Sequence, residues 1–105
     1  QVELVYFQSN HEGELVEAVQ RFGASAEAIL LNPGAFTHTS IALADAVASI
    51  SKPVYEVHLS NVFARQDFRK HSYISPKAKA MLSGFGMQGY ALALQAFLNE
   101  SELRG

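Results

Sequence analysis

A glutamate and a histidine stand two residues apart in the apolar run PVYEVHLSN, residues 53–61. Side chains two apart on a β-strand point to the same face, so the Glu56 carboxylate and the His58 imidazole are expected to meet. Such a carboxylate fixes the tautomer and orientation of the imidazole and favours its protonated form. The pair could therefore act as a general acid near neutral pH. The alternative is an ion pair at the end of a strand with no catalytic role.

Polar groups also follow an earlier apolar run, at Asn32-Pro33-Gly34-Ala35. The Asn32 amide and the backbone N–H groups of Gly34 and Ala35 could hold substrate hydroxyls or a carboxylate. An ordinary turn between a strand and a helix is the alternative. His38 could face the same crevice, or it could be a capping or packing residue.

Two arginines further along, Arg65 and Arg69, are spaced i and i+4. They share a face if the segment is helical, and arginine binds carboxylates through two parallel hydrogen bonds. A solvated helix surface is the alternative. Ser60, directly after the Glu56–His58 run, adds a donor at the same mouth.

The sequence gives little support for a metal or cofactor site. His38 and His58 could approach each other, but there is no HxH, HExxH or acidic cluster. Gly84, Gly86 and Gly89 formally match GxGxxG, but no second βαβ half follows them. We interpret these glycines as packing a helix closely against a strand, and we expect no metal and no organic cofactor.

The composition bounds the class of protein. The chain has 105 residues, of which 49% are hydrophobic, which suits one domain over residues 1–105. A net charge of −2 gives no basic surplus for nucleic acid or an anionic membrane. With no cysteine there are no disulfides or thiolate ligands, which fits a cytoplasmic protein. No apolar run approaches the roughly 20 residues of a membrane span.

Strands and helices are expected to alternate along the chain. Hydrophobic patterning predicts strands over residues 2–8, 28–31, 53–59 and 80–85. Helices are predicted from Leu15 to a stop at Gly23, from a cap at Thr39 or Ser40, and over residues 86–100. This alternation predicts a parallel sheet covered on both faces, in which ligands bind beyond the carboxyl ends of the strands.

Five segments taken together resemble the type II 3-dehydroquinate dehydratases: FQSNHEGELVEAV, NPGAFTHTSIALADA, PVYEVHLSN, AR..FR.HSYISP and GFGMQGYALAL. They span nearly the whole chain, in order and with matching gaps. The resemblance implies an α/β fold: a flavodoxin-like, doubly wound parallel sheet in three α/β/α layers, with strand order 2-1-3-4-5. It also implies trimers that commonly assemble into dodecamers.

The activity implied by the resemblance is that of a hydro-lyase. It would convert 3-dehydroquinate to 3-dehydroshikimate and water by anti elimination through an enolate, without a metal or organic cofactor. That reaction serves the shikimate pathway of aromatic amino acid biosynthesis, or quinate catabolism. His58 would be the general acid, with Glu56 supporting it, and Arg65 would favour the phenolate of a tyrosine base. Asp45 matches an aspartate that reaches the active site of a neighbouring subunit.

The resemblance also implies which residues bind the substrate. Hydroxyls and the ring would be held by Asn32, Gly34, Ala35 and His38, the carboxylate by Leu59 and Ser60, and another substrate oxygen by Arg69.

The sequence departs from the family pattern at its beginning. The family opens with a strand ending in an LNGPNLN-like motif and a loop that carries the tyrosine base, and neither is present. Tyr6 lies within a predicted strand, and Tyr55, Tyr73 and Tyr90 match other family positions. Roughly 40–50 residues of the pattern are absent, leaving about the C-terminal 70% of the domain. The absent strand would be the central one, so we predict that these 105 residues do not fold alone as a stable monomer.

Three functional hypotheses remain. The first is the enzyme, with His58 as acid and the base on a missing N-terminal segment. The second is a non-catalytic fragment or homologue that acts as a substrate-binding or oligomer-forming module. The third, an unrelated doubly wound binding domain, is disfavoured by the joint presence of the matched site residues.

Overall fold

Parallel strands alternate with helices in the computed structural model, which describes residues 2–64 and 71–104. The α-helices are α1 (Glu12–Ser25), α2 (Ile41–Ser49) and α3 (Gln88–Arg104). The strands are β1 (Ile29–Leu31), β2 (Val54–His58) and β3 (Ala80–Ser83). Short 3₁₀ segments cover Gly34–His38, Val62–Ala64 and Ser75–Lys77. The strands predicted at 28–31, 53–59 and 80–85 are thus confirmed, each slightly shorter than expected.

The sheet has the order β1-β2-β3, and both pairings are parallel. Leu31 lies opposite Glu56 on one side of β2, and His58 lies opposite Ser83 on the other. The carboxyl ends of all three strands therefore meet at one edge of the sheet, and β2 brings Glu56 and His58 to the middle of that edge.

Helices cover both faces of this sheet. Leu31 and Val54 belong to a core cluster with residues of α1 and α2, such as Val19 and Leu43. Tyr55 and Val57 form a second cluster, on the opposite face, with residues of α3 such as Ala93 and Phe97. Successive residues of β2 thus face different layers, and the whole strand is buried, as is usual in parallel sheets. The predicted α/β fold with a doubly covered sheet is confirmed.

Glycines allow two close approaches between elements. The predicted helix stop at Gly23 is wrong, because α1 continues to Ser25. Gly23 is buried, and a Cβ there would lie 2.5 Å from Cγ2 of Ile50, so its role is to let α1 approach the end of α2. Gly89, the second residue of α3, is buried, and a Cβ there would lie 3.0 Å from Cγ1 of Val57. This contact confirms that Gly89 packs α3 against β2.

Helix α2 begins at a side-chain cap. The Ser40 hydroxyl accepts a hydrogen bond of 2.8 Å from the Leu43 N–H, so Ser40 rather than Thr39 is the cap. Within the residues that the structure describes, no helix is long and apolar enough to cross a membrane.

The strand predicted over residues 2–8 is wrong. These residues are assigned to no strand, and the side chains of Leu4 and Tyr6 are 72% and 87% exposed. Phe7 contacts α1, with its ring 6.4 Å from that of Phe22 and 5.7 Å from the Arg21 guanidinium. A β-strand needs a hydrogen-bonded neighbour, and the described part of the chain supplies none to this segment.

Candidate active site

Glu56 and His58 meet on one face of β2, as predicted. His58 Nε2 lies 2.5 Å from Glu56 Oε2, and the two side chains are 3% and 0% exposed. Val57 between them points into the opposite layer. The pair is therefore enclosed at the carboxyl end of the middle strand.

Three hydroxyl groups surround the Glu56 carboxylate, and we call them the hydroxyl cradle: Thr37, Ser72 and Ser75. Glu56 Oε2 accepts from Thr37 Oγ1 at 2.5 Å and lies 3.3 Å from Ser72 Oγ, and Oε1 accepts from Ser75 Oγ at 2.5 Å. Thr37 follows β1, whereas Ser72 and Ser75 precede β3. Two loops thus converge on one carboxylate, which a simple ion pair at a strand end would not require.

The cradle changes the acidity of Glu56. Burial by itself would raise the pKa of this carboxyl. The hydrogen bonds from His58, Ser75 and Thr37 outweigh burial and hold the pKa of Glu56 below its ordinary value of 4.5. Glu56 is therefore ionised at neutral pH, and its Oε2 accepts the Nε2 hydrogen of His58.

Further hydrogen bonds to backbone groups hold the same two loops together. Tyr73 N donates to Thr37 O at 2.8 Å, and His38 Nδ1 donates to His71 O at 2.7 Å. Ser72 Oγ accepts from the N–H groups of residues 74 and 75, at 3.1 and 3.0 Å. These hydrogen bonds therefore fix the two loops that carry the cradle hydroxyls relative to each other.

A pocket of about 240 Å³ opens beside the pair. It is lined by Thr37, His38, Glu56, His58, Val62, His71, Ser72, Ser75, Pro76 and Met81. Its volume lies just below the roughly 300–1,000 Å³ of common small-molecule sites, so a compact ligand would suit it. His71 also lines the pocket, whereas His11 does not.

His38 carries an unused polar atom in this pocket. Its Nε2 is buried and has no hydrogen-bond partner within residues 2–64 and 71–104. Since Nδ1 donates to a carbonyl, Nε2 of the neutral ring is an acceptor. A buried acceptor of this kind favours a ligand that brings a hydroxyl donor.

The predicted Asn32 group lies outside the lining of the pocket. Asn32 Oδ1 accepts from Gly34 N at 3.0 Å, and Nδ2 donates to the Tyr90 hydroxyl at 3.0 Å. Ala35 is exposed on the following 3₁₀ segment. The Asn32 oxygen and the Gly34 N–H therefore satisfy each other, although Nδ2 has a second hydrogen to offer.

Leu59 and Ser60 are exposed just beyond β2 and also lie outside the pocket lining. The Ser83 hydroxyl donates to Ser60 O at 3.0 Å and accepts from Val62 N at 3.0 Å, so it bridges this loop. Asp45 is exposed on α2, away from the pocket lining. Arg65 and Arg69 lie outside the described residues.

Sequence reasoning missed the hydroxyl cradle and the Tyr90 partner of Asn32. Signals were present, because Thr37 adjoins His38 and the segment HSYISP contains both cradle serines. Only their convergence on Glu56 was not visible locally. In the described ranges, no group of three or more His, Cys, Asp or Glu side chains could hold a metal ion.

An open parallel sheet with a buried carboxylate–histidine pair at its ligand-binding edge defines a flavodoxin-like α/β protein with a site suited to proton transfer. The family model described as Dehydroquinase class II matches residues 1–98. The chain therefore belongs to the class II dehydroquinase family, and the resemblance found in its sequence is confirmed.

Similar proteins agree with this assignment. A 3-dehydroquinate dehydratase of Bacillus licheniformis is 54% identical over 99 residues, which cover 94% of this chain and 68% of that protein. One of Pelotomaculum thermopropionicum is 55% identical over 95 residues, covering 90% of this chain and 66% of that protein. The crystal structure of the type II dehydroquinase from Propionibacterium acnes matches with a TM-score of 0.83 and 34% identity, covering 87% of this chain and 63% of that chain. This chain thus spans about two thirds of the length of its relatives.

Proposed function

We propose that this chain carries the general-acid part of a 3-dehydroquinate dehydratase active site, which converts 3-dehydroquinate to 3-dehydroshikimate and water. The observation that carries the proposal is the buried Glu56–His58 pair beside a pocket of compact-ligand size. The activity named for the curated relatives supports the choice of substrate. The same reaction would place the protein in aromatic biosynthesis or quinate breakdown, in the cytoplasm.

The acid step follows from the geometry of the pair. Expelling a tertiary hydroxyl requires a proton, and the ionised Glu56 stabilises the imidazolium form of His58 that can deliver it. Because Glu56 accepts the Nε2 hydrogen, the proton given to the substrate is the one on Nδ1. His58 then returns to the neutral ring, still held by the carboxylate.

An anti elimination through an enolate also needs a base on the opposite face of the substrate. None of the four tyrosines of this chain lines the pocket. Tyr6 and Tyr73 are exposed, whereas Tyr55 and Tyr90 pack in the α3 layer, on the other face of the sheet. We therefore place the base, a tyrosine, on a segment outside these 105 residues, with Arg65 favouring its phenolate.

Substrate binding is assigned to residues around the carboxyl edge of the sheet. The buried Nε2 of His38 would accept a substrate hydroxyl, and the second Nδ2 hydrogen of Asn32 would donate to another oxygen. The exposed loop at Leu59 and Ser60 would hold the substrate carboxylate. The remaining assigned contacts are Gly34, Ala35 and Arg69.

Assembly into trimers, and of trimers into a dodecamer, belongs to the same proposal. Asp45 is exposed on α2 and does not line the pocket of its own chain. That position suits a side chain that completes the site of a neighbouring subunit.

A second candidate is a substrate-binding or oligomer-forming module without turnover. It is favoured by the positions of the tyrosines, since the pocket of this chain contains an acid but no phenol.

Ultraviolet detection of the conjugated enone, together with calorimetric binding of 3-dehydroquinate, separates these candidates. Each measurement is made on the 105-residue chain with and without a peptide that supplies the family's N-terminal strand and tyrosine loop. Turnover in the presence of the peptide supports the enzyme. Binding without turnover in either preparation supports the binding module, and the absence of both would refute the assigned substrate.

A further inference from the structure

We propose that the cradle residues Thr37, Ser72 and Ser75 are positioning residues, which act through Glu56 to hold His58 for proton transfer. The inference rests on the proposed function for its catalytic consequence. Its structural part, the direction of the hydrogen bonds around Glu56, is independent of turnover.

The direction of these hydrogen bonds follows from counting donors. A serine hydroxyl has one hydrogen and two lone pairs. Both lone pairs of Ser72 Oγ are used by the N–H groups of Ile74 and Ser75, so this oxygen must donate. Its nearest acceptor is Thr37 Oγ1 at 2.5 Å, and Thr37 in turn donates to Glu56 Oε2 at 2.5 Å.

A chain of hydrogen bonds with one donor direction thus runs from two backbone N–H groups through Ser72 and Thr37 to the Glu56 carboxylate. Ser75 adds a donor to the other oxygen, Oε1. A protonated Oε2 of Glu56 would need an acceptor for its own hydrogen, and the hydrogen-bond chain through Ser72 and Thr37 brings a donor there instead. The cradle therefore favours the ionised carboxylate, in the orientation that receives Nε2 of His58.

The cradle differs from ordinary core packing in what its loss would do. Removing one donor should destabilise the ionised form of Glu56, so that the titration of the Glu56 carboxyl moves to higher pH. Among the described residues, the other titratable groups that line this pocket are His38, in the 3₁₀ segment after β1, and His71, in the loop before β3. Both are monitored in the same titration, because a change in either could imitate a change in Glu56.

The matched variants are Thr37→Val and Thr37→Ser. Valine keeps the shape of threonine and removes the hydroxyl, whereas serine keeps the hydroxyl and removes the methyl group. Ser75→Ala removes the second donor. Carbon-13 NMR of the Glu56 carboxyl and nitrogen-15 NMR of His58 are followed against pH in the preparation used for the assay.

The proposal predicts that the titration midpoint of the Glu56 carboxyl is higher in Thr37→Val and Ser75→Ala and near the wild-type value in Thr37→Ser. Where turnover is measurable, kcat should fall on the order of tenfold in Thr37→Val with KM little changed, and the acid limb of the pH profile should move to higher pH. Thr37→Ser should recover kcat to within about twofold.

An unchanged Glu56 midpoint in both Thr37→Val and Ser75→Ala would overturn the proposal. If Thr37→Val does not fold, the Glu56 midpoint is measured in Ser72→Ala instead. That substitution removes the first hydroxyl of the hydrogen-bond chain and leaves Thr37 intact. A wild type that shows the predicted titration without turnover would contradict the enzyme proposal alone.

Discussion

The strand Val54–His58 and the segment 2–7 have similar strand-forming side chains but opposite surroundings. All five residues of the strand are buried between two neighbouring strands, whereas Leu4, Val5 and Tyr6 are 72%, 69% and 87% exposed. The strand can even enclose an ionised glutamate, because donors from two loops surround it. The difference teaches that neighbours, and not the apolar pattern alone, decide whether such a run becomes a strand.

The largest expected effect concerns the whole chain. The exposed segment 2–7 offers apolar side chains, and within the described residues one edge of β1 has no paired strand. Both features favour association, so we expect that the 105 residues alone do not form a stable monomer. Sedimentation analysis with intact mass measurement checks this. A cooperatively folded monomer of 11.5 kDa would contradict it.

Replacing Glu56 by glutamine tests how much the buried carboxylate of the strand Val54–His58 contributes to stability. The amide places two N–H groups where the cradle hydroxyls already donate, and it leaves His58 without its charged partner. We expect the free energy of unfolding to fall by about 3 kcal/mol. Glu3→Gln, in the exposed segment, is the matched control and should change it by less than about 0.5 kcal/mol. Denaturation is measured on a folded preparation at one fixed concentration, and equal losses would remove the distinction between the two regions.

The pH dependence of the unfolding free energy gives a second test of the contribution of Glu56. The pKa of Glu56 lies below its ordinary value of 4.5 in the folded state, so the unfolded state binds the proton more readily. Stability from this group is therefore fully present above about pH 4.5 and is lost as the pH falls through the lower, folded-state pKa. The stability difference between wild type and Glu56→Gln should narrow over that range. A difference that stays constant would show that ionisation of Glu56 does not contribute.

The smallest effect is expected at the exposed segment. Tyr6→Ser removes a side chain that is 87% exposed, so the free energy of unfolding of a folded preparation at one fixed concentration should change by less than about 0.5 kcal/mol. Thermal denaturation checks this value. If an added N-terminal peptide pairs with the segment, the same substitution should become clearly destabilising in the complex. A large loss without the peptide would mean that the segment is already packed.

Features with a local cause could be predicted from the sequence. The period of two on a strand placed Glu56 and His58 together, and the preference of serine and threonine for helix starts pointed to Thr39 or Ser40. Apolar runs also predicted β1, β2 and β3, and apolar residues at helical spacing predicted the helices that cover them. These depend on neighbours within a few residues, which a single sequence displays.

Features that depend on distant partners could not be predicted. Thr37 contacts Ser72, which lies 35 positions further along the sequence. Position 23, within α1, is a glycine because a Cβ there would clash with Ile50. The segment 2–7 has strand-like composition and forms no strand, because no strand of the described residues pairs with it. The engagement of Asn32 with Tyr90, 58 positions away, belongs to the same group.

The central claim is that the Glu56–His58 pair supplies the acid. Enone formation from 3-dehydroquinate by the His58→Ala variant, with the N-terminal peptide that supplies the base, tests it most directly. His11→Ala is the control, because His11 is exposed and lies outside the pocket lining. The account predicts a loss of at least about a hundredfold in kcat for His58→Ala with substrate binding retained, and a change within about twofold for His11→Ala. A His58→Ala variant that turns over at close to the wild-type rate would contradict it.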